Sequence, residues 1–161
     1  MFVGKDDSGT PKFACERGTT DNWKRDVAGS NKEFSFSLPP ENPDKCNNVA
    51  VFESAIDILA HHELYPDYNG YRLSLSGTSP NAIVGFLKRN PQINAVTLCL
   101  DNDEAGRFAT SRIIEKLGKN KNIPPLKITG EFPPVGKDYA DALIARQQQN
   151  IKINPPYERD F

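Results

Sequence analysis

Three acidic side chains follow two apolar segments of this chain and could hold a divalent cation. Asp101 and Asp103 come directly after the apolar run 96–100, and Glu53 follows the apolar run 49–52. Because each run has the composition of a buried strand and precedes a helical pattern, we expect the three carboxylates to meet at one sheet edge. Mg²⁺ needs only one or two protein carboxylates, since water and substrate phosphates fill its other positions. The pattern predicts a magnesium site for phosphoryl transfer, with Mn²⁺ as an alternative metal.

Glu53 has a different predicted role from the two aspartates. Its neighbours in the expected cluster carry negative charge, and like charges raise the pKa of a carboxyl group in metal-free protein. A carboxyl group shifted in this way can exchange a proton with the scissile oxygen. A bound cation opposes the shift, so the sequence alone leaves its sign open.

The segments that must position these residues alternate between β-type and helical patterns. Strands are predicted at 49–53, 71–76, 95–101 and 126–130, and helices near 54–64, 80–89, 104–118 and 139–148. The third helix carries an apolar stripe made of Ala105, Phe108, Ala109, Ile113 and Leu117. This alternation predicts right-handed βαβ units, and therefore an α/β fold with a mainly parallel four-stranded sheet flanked by helices.

The first 48 residues follow another pattern. Short β-type segments flank a glycine-containing loop near Gly9, and residues 33–38 alternate like a third strand. This pattern predicts a small antiparallel β appendage, and its opening almost inside a strand suggests a piece of a longer protein. The predicted divisions are an appendage and connector at 1–48, the α/β domain at 49–148 and a C-terminal tail at 149–161.

Charge and cysteine content narrow the class of protein. The 20 basic and 21 acidic residues leave a net charge of −1, so nucleic-acid binding would depend on a local basic patch or on metal ions. Three cysteines without metal-ligand spacing predict no zinc site. Since no apolar segment is long enough for a signal peptide or a membrane span, we expect a cytoplasmic protein with no membrane contact.

Four motifs occur in a characteristic order. They are Phe-Glu-Ser-Ala-Ile-Asp at 52–57, the Ser-Gly-Thr turn that ends 73–78, Leu-Asp-Asn-Asp-Glu-Ala-Gly within 98–106, and Gly-Lys-Asp at 136–138. This order resembles the Toprim domain shared by bacterial primases, topoisomerases, OLD-type nucleases and RecR-like repair proteins. The resemblance spans roughly 49–145 and is closest to the primase-like branch of bacterial mobile-element proteins, whose upstream segment also resembles 27–32.

The resemblance implies roles for individual residues. It makes Glu53 the general acid or base and Asp101 with Asp103 the magnesium ligands. Asp57 matches an acid four residues after the motif glutamate, and Asp138 matches an acidic position of the primase-like turn. This chain departs from many members in having Ser54 where they have glycine, which alters how closely a phosphate can approach the turn.

Other residues are candidate phosphate contacts. Gly77 and Thr78 precede a helix whose free N–H groups could meet a phosphate, Arg107 lies one turn into the helix after the aspartates, and Lys137 belongs to the last motif. Each has a structural alternative, as a turn, a cap or a solvated charge.

The acids have structural alternatives as well. Asp101 followed by Glu104 fits a capping box, and Asp57 and Asp138 fit the first turns of their helices.

The favoured function is a magnesium-dependent module that transfers phosphoryl groups on nucleic acid, by primase-like nucleotidyl transfer in DNA replication or by DNA strand cleavage. Its expected partners are DNA or RNA and the remainder of a larger DNA-processing protein. The alternative is a non-catalytic Toprim platform that binds nucleic acid or another protein. Haloacid-dehalogenase-like phosphatases and receivers fit poorly, because their acids belong to the first strand.

Overall fold

The computed structural model describes residues 1–21 and 23–153, which form two β-sheets and four α-helices. The N-terminal sheet is antiparallel, in the order β1-β2-β3, with β1 at Phe2–Lys5, β2 at Pro11–Arg17 and β3 at Lys24–Asp26. The second sheet contains β4 Ser37–Leu38, β5 Asn48–Phe52, β6 Tyr71–Ser74, β7 Ala95–Leu98 and β8 Lys127–Gly130. The helices are α1 Ala55–Leu64, α2 Asn81–Arg89, α3 Glu104–Gly118 and α4 Tyr139–Ile153.

The second sheet has the order β4-β6-β5-β7-β8, and all its pairs are parallel except β4 with β6. The predicted α/β class, with a mainly parallel sheet, flanking helices and an antiparallel appendage, is therefore confirmed. The sheet has five strands where four were predicted. The additional strand is the short edge strand β4, which the pattern at 33–38 assigned to the appendage.

The expectation of an appendage strand over 33–38 is wrong. The segment divides into a 3₁₀ turn at Lys32–Phe34 and the edge strand β4, while β3 is the third strand of the N-terminal sheet. Phe36 and Leu38 pack against a buried cluster of the second sheet, and the Ser74 N–H donates to the Phe36 carbonyl oxygen. Alternation indicates that one face of a segment is buried, but it does not identify the sheet that buries it.

The central strand β5 is buried on both faces, because helices cover both sides of the sheet. Val49 and Val51 belong to the cluster beneath α2 and α3, whereas Ala50 and Phe52 belong to the cluster beneath α1 and α4. Strands buried in this way are nearly continuous apolar runs, as the sequence of β5 is. The carboxyl end of β5 is thus held rigidly between two packed layers.

Hydrogen bonds and a salt bridge connect the N-terminal sheet to the loop that follows β6. The Ser76 hydroxyl donates to Asp26 Oδ1 at 2.7 Å, and Lys32 Nζ donates to the Ser76 carbonyl oxygen at 2.8 Å. Lys32 and Asp26 also form a salt bridge of 3.0 Å. Ser76 has a φ of +48°, a left-handed conformation that is uncommon for a residue with a side chain, so these contacts stabilise an unfavourable turn. They place the N-terminal sheet beside the carboxyl edge of the second sheet.

The last helix continues to Ile153, which is inside the predicted tail at 149–161. The remainder of that segment, 154–161, lies outside the described residues, and the domain boundaries stay a prediction. Among the helices that the structure describes, none has the length and apolar character needed to cross a bilayer.

Candidate active site

Glu53 lies where β5 ends and α1 is about to begin. Ser54 caps α1: its hydroxyl accepts from the Asp57 N–H at 3.4 Å and donates to Asp57 Oδ2 at 2.6 Å. The Gly77 N–H donates to the Glu53 carbonyl oxygen at 3.0 Å, which joins this turn to the loop after β6. The Glu53 side chain is partly buried, and its Oε1 has no hydrogen-bond partner among the described residues.

The environment raises the pKa of Glu53 from 4.5 to about 7, mainly through burial and then through the negative charge of Asp101. The direction agrees with the expectation for the metal-free protein, but burial contributes more than the neighbouring carboxylates. Burial also raises the pKa of Asp57 to about 6. Both carboxyl groups can therefore carry a proton close to neutral pH.

Asp101 and Asp103 lie at the carboxyl end of β7. Asp103 is the N-cap of α3, because its Oδ1 accepts from the Gly106 N–H at 2.8 Å. The capping role that the sequence suggested for Asp101 therefore belongs to Asp103. That role leaves the other oxygen, Oδ2, facing Lys137, so capping and cation binding use different atoms of one side chain.

Lys137 bridges the two aspartates. Its ammonium group lies 3.1 Å from Asp101 Oδ2 and 3.2 Å from Asp103 Oδ2. Hydrogen bonds to both carboxylates raise the pKa of Lys137. The Gly106 N–H and then Lys137 lower the pKa of Asp103, whereas burial raises the pKa of Asp101 against the effect of Lys137.

The turn that carries Lys137 is held by backbone contacts. The Asn102 N–H donates to the Lys137 carbonyl oxygen at 2.6 Å, and the Lys137 N–H donates to Asp141 Oδ2 at 2.9 Å. Asp138 Oδ1 accepts from the Asp141 N–H at 2.8 Å at the start of α4, so the structural alternative for Asp138 is observed. The Gly-Lys-Asp motif at 136–138 is thereby joined directly to the loop that carries Asp101 and Asp103.

A cleft of about 560 Å³ lies between the two sheets. From the second sheet and its loops it is lined by Glu53, Ser54, Ala55, Asp57, Ser76, Gly77, Asp101, Lys137 and Asp138. From the N-terminal sheet it is lined by Cys15, Glu16, Arg17, Lys24, Arg25 and Asp26. Six of the predicted site residues thus share one cleft, and Asp103 is joined to it through Lys137.

The predicted phosphate contacts Thr78 and Arg107 do not line this cleft. Arg107 donates to Asn102 Oδ1 and lies 5.0 Å from the centre of the Phe132 ring, while Thr78 lines a separate groove. Conversely, Arg17, Lys24 and Arg25 line the cleft although the sequence pattern gave them no site role. Arg17 ends β2 while Lys24 and Arg25 belong to β3, and neither short strand has a sequence signal that indicates which surface it faces.

Gly106 is required by a close approach of the backbone. A Cβ atom added there would collide with the Asp101 carbonyl oxygen. We expect Gly106→Ala to lower the free energy of unfolding by about 1–3 kcal/mol, because the strain of overpacking exceeds the higher helix propensity of alanine. Urea unfolding measures this change.

Gly118 is the matched control for Gly106, since it ends the same helix and an added Cβ meets no atom within 4 Å. We expect Gly118→Ala to leave stability unchanged or to raise it by up to about 1 kcal/mol. Equal effects of the two substitutions would contradict the close packing of α3 against the Asp101 loop.

The donor set at this edge fits a hard cation. Within residues 1–21 and 23–153, no three His, Cys, Asp or Glu side chains come close enough together to hold a metal ion unaided. Asp101 and Asp103 supply carboxylate oxygens, which suit Mg²⁺ when water or phosphate completes the coordination. The Lys137 side chain is more than half exposed, so it can swing away when a divalent cation arrives.

Comparison with known proteins gives four matches. A family model described as Toprim-like matches residues 50–143. An uncharacterized protein of Bacillus anthracis is 23% identical over 171 residues, which cover 92% of this chain and 49% of that protein.

The primase fragment of the bacteriophage T7 primase-helicase protein has a similar fold, with a TM-score of 0.64 at 18% identity, over 94% of this chain and 60% of that one. A T7 complex of lagging-strand DNA polymerase with primase domains bound to an RNA/DNA hybrid contains a second match, with a TM-score of 0.63, 18% identity and coverages of 94% and 74%. The chain therefore spans about half the length of the curated relative and 60% of the T7 fragment.

Proposed function

The chain belongs to the Toprim-like family, and from that premise we propose that it is a magnesium-dependent phosphoryl-transfer module of a larger DNA-processing protein. Its reaction is primase-like nucleotidyl transfer or DNA strand cleavage. The observation that carries the proposal is the convergence of Glu53, Asp101 and Lys137 on one cleft at the carboxyl edge of the sheet.

In this proposal Glu53 moves the proton. Glu53 lines the cleft, so its carboxyl group can meet a hydroxyl or water oxygen of the substrate there, and its buried Oε1 has no competing partner in the described part of the chain. A pKa of about 7 allows Glu53 to accept a proton and to return it near neutral pH. Glu53 is therefore the general base or general acid, according to the direction of the reaction.

Asp101 and Asp103 would hold the magnesium ion through the two oxygens that face Lys137. When bound, the ion supplies charge stabilisation at the phosphoryl oxygens. Asp103 remains oriented by the Gly106 N–H, which fixes one oxygen while the other binds. Lys137, once released from the aspartates, would be free to contact a substrate phosphate in the same cleft.

The N-terminal sheet would orient the nucleic acid or the nucleotide. Arg17 and Lys24 line the cleft opposite the carboxylates, and Arg25 is paired with Glu16 at 2.9 Å. The N-terminal wall contributes three cations beside Glu16 and Asp26, and the opposite wall contributes four carboxylates beside Lys137. This excess of basic groups on one wall and of acids on the other suits a substrate whose phosphate is held between basic groups and a metal. The similar fold of the T7 primase fragment, a protein named for priming, supports a nucleic-acid partner in general.

The proposal is tested by titrating Mg²⁺ and Mn²⁺ calorimetrically into the wild type and into the Asp101→Asn, Asp103→Asn double variant. Removing a residue that only supports a metal ligand lowers metal affinity by roughly 10–100-fold. We expect a larger loss of metal affinity in the double variant, because two ligand charges are removed. Asparagine still caps helices, so α3 is retained. Asp44→Asn, an exposed substitution away from the cleft, should leave the affinity unchanged.

Labelled single-stranded DNA and nucleoside triphosphates are then supplied with the metal, and cleavage and nucleotide addition are followed in the same samples. Metal-dependent turnover in the wild type that the double variant lacks supports the proposal. Absence of metal binding in the wild type, even with DNA present, contradicts it and favours a non-catalytic platform. In that case the ion pairs of Lys137 with Asp101 and Asp103 would serve only to neutralise the two acids.

A further inference from the structure

A groove of about 770 Å³ lies outside the cleft, between the start of α2 and the length of α3. Thr78 and Ser79 line the end nearest α2, and residues of α3 between Ala105 and Lys116, with Lys119 just after the helix, line the remainder. A depression lined by Asp103, Glu104, Ala105 and Phe108 adjoins it. The groove is thus continuous with the loop that carries the proposed magnesium ligand Asp103.

The floor of the groove contains an exposed aromatic ring. Phe108 is 64% exposed, although the apolar stripe predicted for this helix included it. Ala109, Ile113 and Leu117 of that stripe are buried in the core, whereas Ala105 is exposed like Phe108, so these two residues lie at the outer margin of the stripe. An aromatic side chain with this exposure provides a flat surface on which a nucleobase can stack.

Cations follow Phe108 along the same helix face. Arg112 lies one turn later, with its guanidinium carbon 5.7 Å from the centre of the Phe108 ring, and Lys116 lies one turn beyond. Lys119 continues the row and is paired with Glu115, the one acid among the residues that line the groove. Residues four apart share a helix face, so the row presents positive charge beside the ring.

We propose that the α2–α3 groove binds the single strand of nucleic acid on which the cleft acts. The groove holds a part of that strand that lies next to the part at the acidic site, on either side of it. A base stacks on Phe108, and the strand's phosphates pair with Arg112 and Lys116. The proposal rests on the proposed function, because the continuity of the groove with Asp103 is what links it to the reacting strand. One exposed ring flanked by a row of cations is complementary to a polyanion with stacked bases, whereas an amphipathic protein helix needs a broader apolar surface.

The test measures binding of a labelled single DNA strand of about 12 nucleotides to the full chain by fluorescence anisotropy, with chelator and no added metal, at several salt concentrations. Phe108→Ala is expected to weaken binding about tenfold through loss of stacking, without changing the salt dependence. Lys116→Gln is expected to reduce the slope of log K against log[salt] by about 0.7, which corresponds to one phosphate contact. Arg112→Gln should act in the same way.

Two variants outside the groove are the matched controls: Ile144→Ala removes an exposed apolar side chain, and Lys127→Gln removes an exposed charge at the start of β8. Neither should change the affinity or the salt slope. If groove and control variants bind alike, or if the wild type binds no strand, the proposal is overturned, while the magnesium titration still decides the proposed function separately.

Sedimentation of the same proteins distinguishes nucleic acid from a second copy of the chain as the occupant of the groove. Self-association of the wild type that Phe108→Ala abolishes, without loss of strand binding, would assign the groove to a second copy of the chain and overturn the proposal. Strand binding that survives in the Asp101→Asn, Asp103→Asn variant but fails in Phe108→Ala would support it. That result would stand even if the cleft bound no magnesium.

Discussion

Glu53→Gln should lower the rate of the catalysed reaction by about 10²–10⁴-fold, the contribution of a positioned general acid or base. Glutamine retains the volume and the hydrogen-bonding shape of glutamate but cannot carry the proton. Because Asp101 and Asp103 remain, we expect the magnesium affinity to stay within about tenfold of the wild type. Single-turnover rates together with calorimetric titration separate the two effects.

The stability of the Glu53→Gln variant provides the control for this experiment. In the metal-free protein the pKa of Glu53 is raised from 4.5 to about 7, so the folded state binds its proton more tightly than the unfolded chain. The contribution of Glu53 to stability is therefore largest below pH 4.5 and is lost as the pH rises to about 7. Glutamine has no such loss, so the variant should be at least as stable as the wild type above pH 7.

Urea unfolding at several pH values in the presence of chelator checks this expectation. An inactive variant that is also markedly less stable at pH 8 would mean that Glu53 has a structural role. A variant with the wild-type rate would exclude Glu53 as the proton carrier and leave the reaction to the aspartates and the metal.

Phe52→Ala should lower the free energy of unfolding by about 3–5 kcal/mol, the usual cost of removing a large buried ring. Phe52 is fully buried, and its ring makes edge-to-face contacts with His61 at 4.9 Å and with Tyr139 at 5.4 Å. These contacts join β5, α1 and α4 immediately before Glu53. Since a domain has only about 5–15 kcal/mol of stability, the substitution should remove a large part of it.

Two controls accompany this substitution. Phe52→Leu keeps most of the buried volume and should cost less, about 1–1.5 kcal/mol. Phe108→Ala removes the same type of ring from a site that is 64% exposed, so its effect should stay within about 0.5 kcal/mol. Similar losses for Phe52→Ala and Phe108→Ala would contradict the placement of these two rings.

Much of the candidate site was predictable because it depends on short-range patterns. Each apolar run at 49–52 and 96–100 is followed immediately by its acid, and neighbouring parallel strands present their carboxyl ends at one edge. No knowledge of distant contacts is needed to expect Glu53 and Asp101 in the same place. The roles of these residues as proton carrier and metal ligand stay predictions until the proposed measurements are made.

The sequence by itself determined the α/β class, the approximate positions of the parallel strands and the edge at which the acids meet, because periodicity and strand-end composition are local properties. Only the tertiary structure decided that residues 37–38 pair with β6, that Lys24 and Arg25 face the acidic cleft, and that Lys137 bridges Asp101 and Asp103. It also decided that Phe108 lies exposed beside Arg112 rather than in the core. The first three arrangements depend on contacts between segments that are distant in the chain, which leave no periodic signal in the amino-acid sequence. The exposure of Phe108 depends on where the margin of the apolar stripe falls against the sheet, which the periodicity of the helix does not fix.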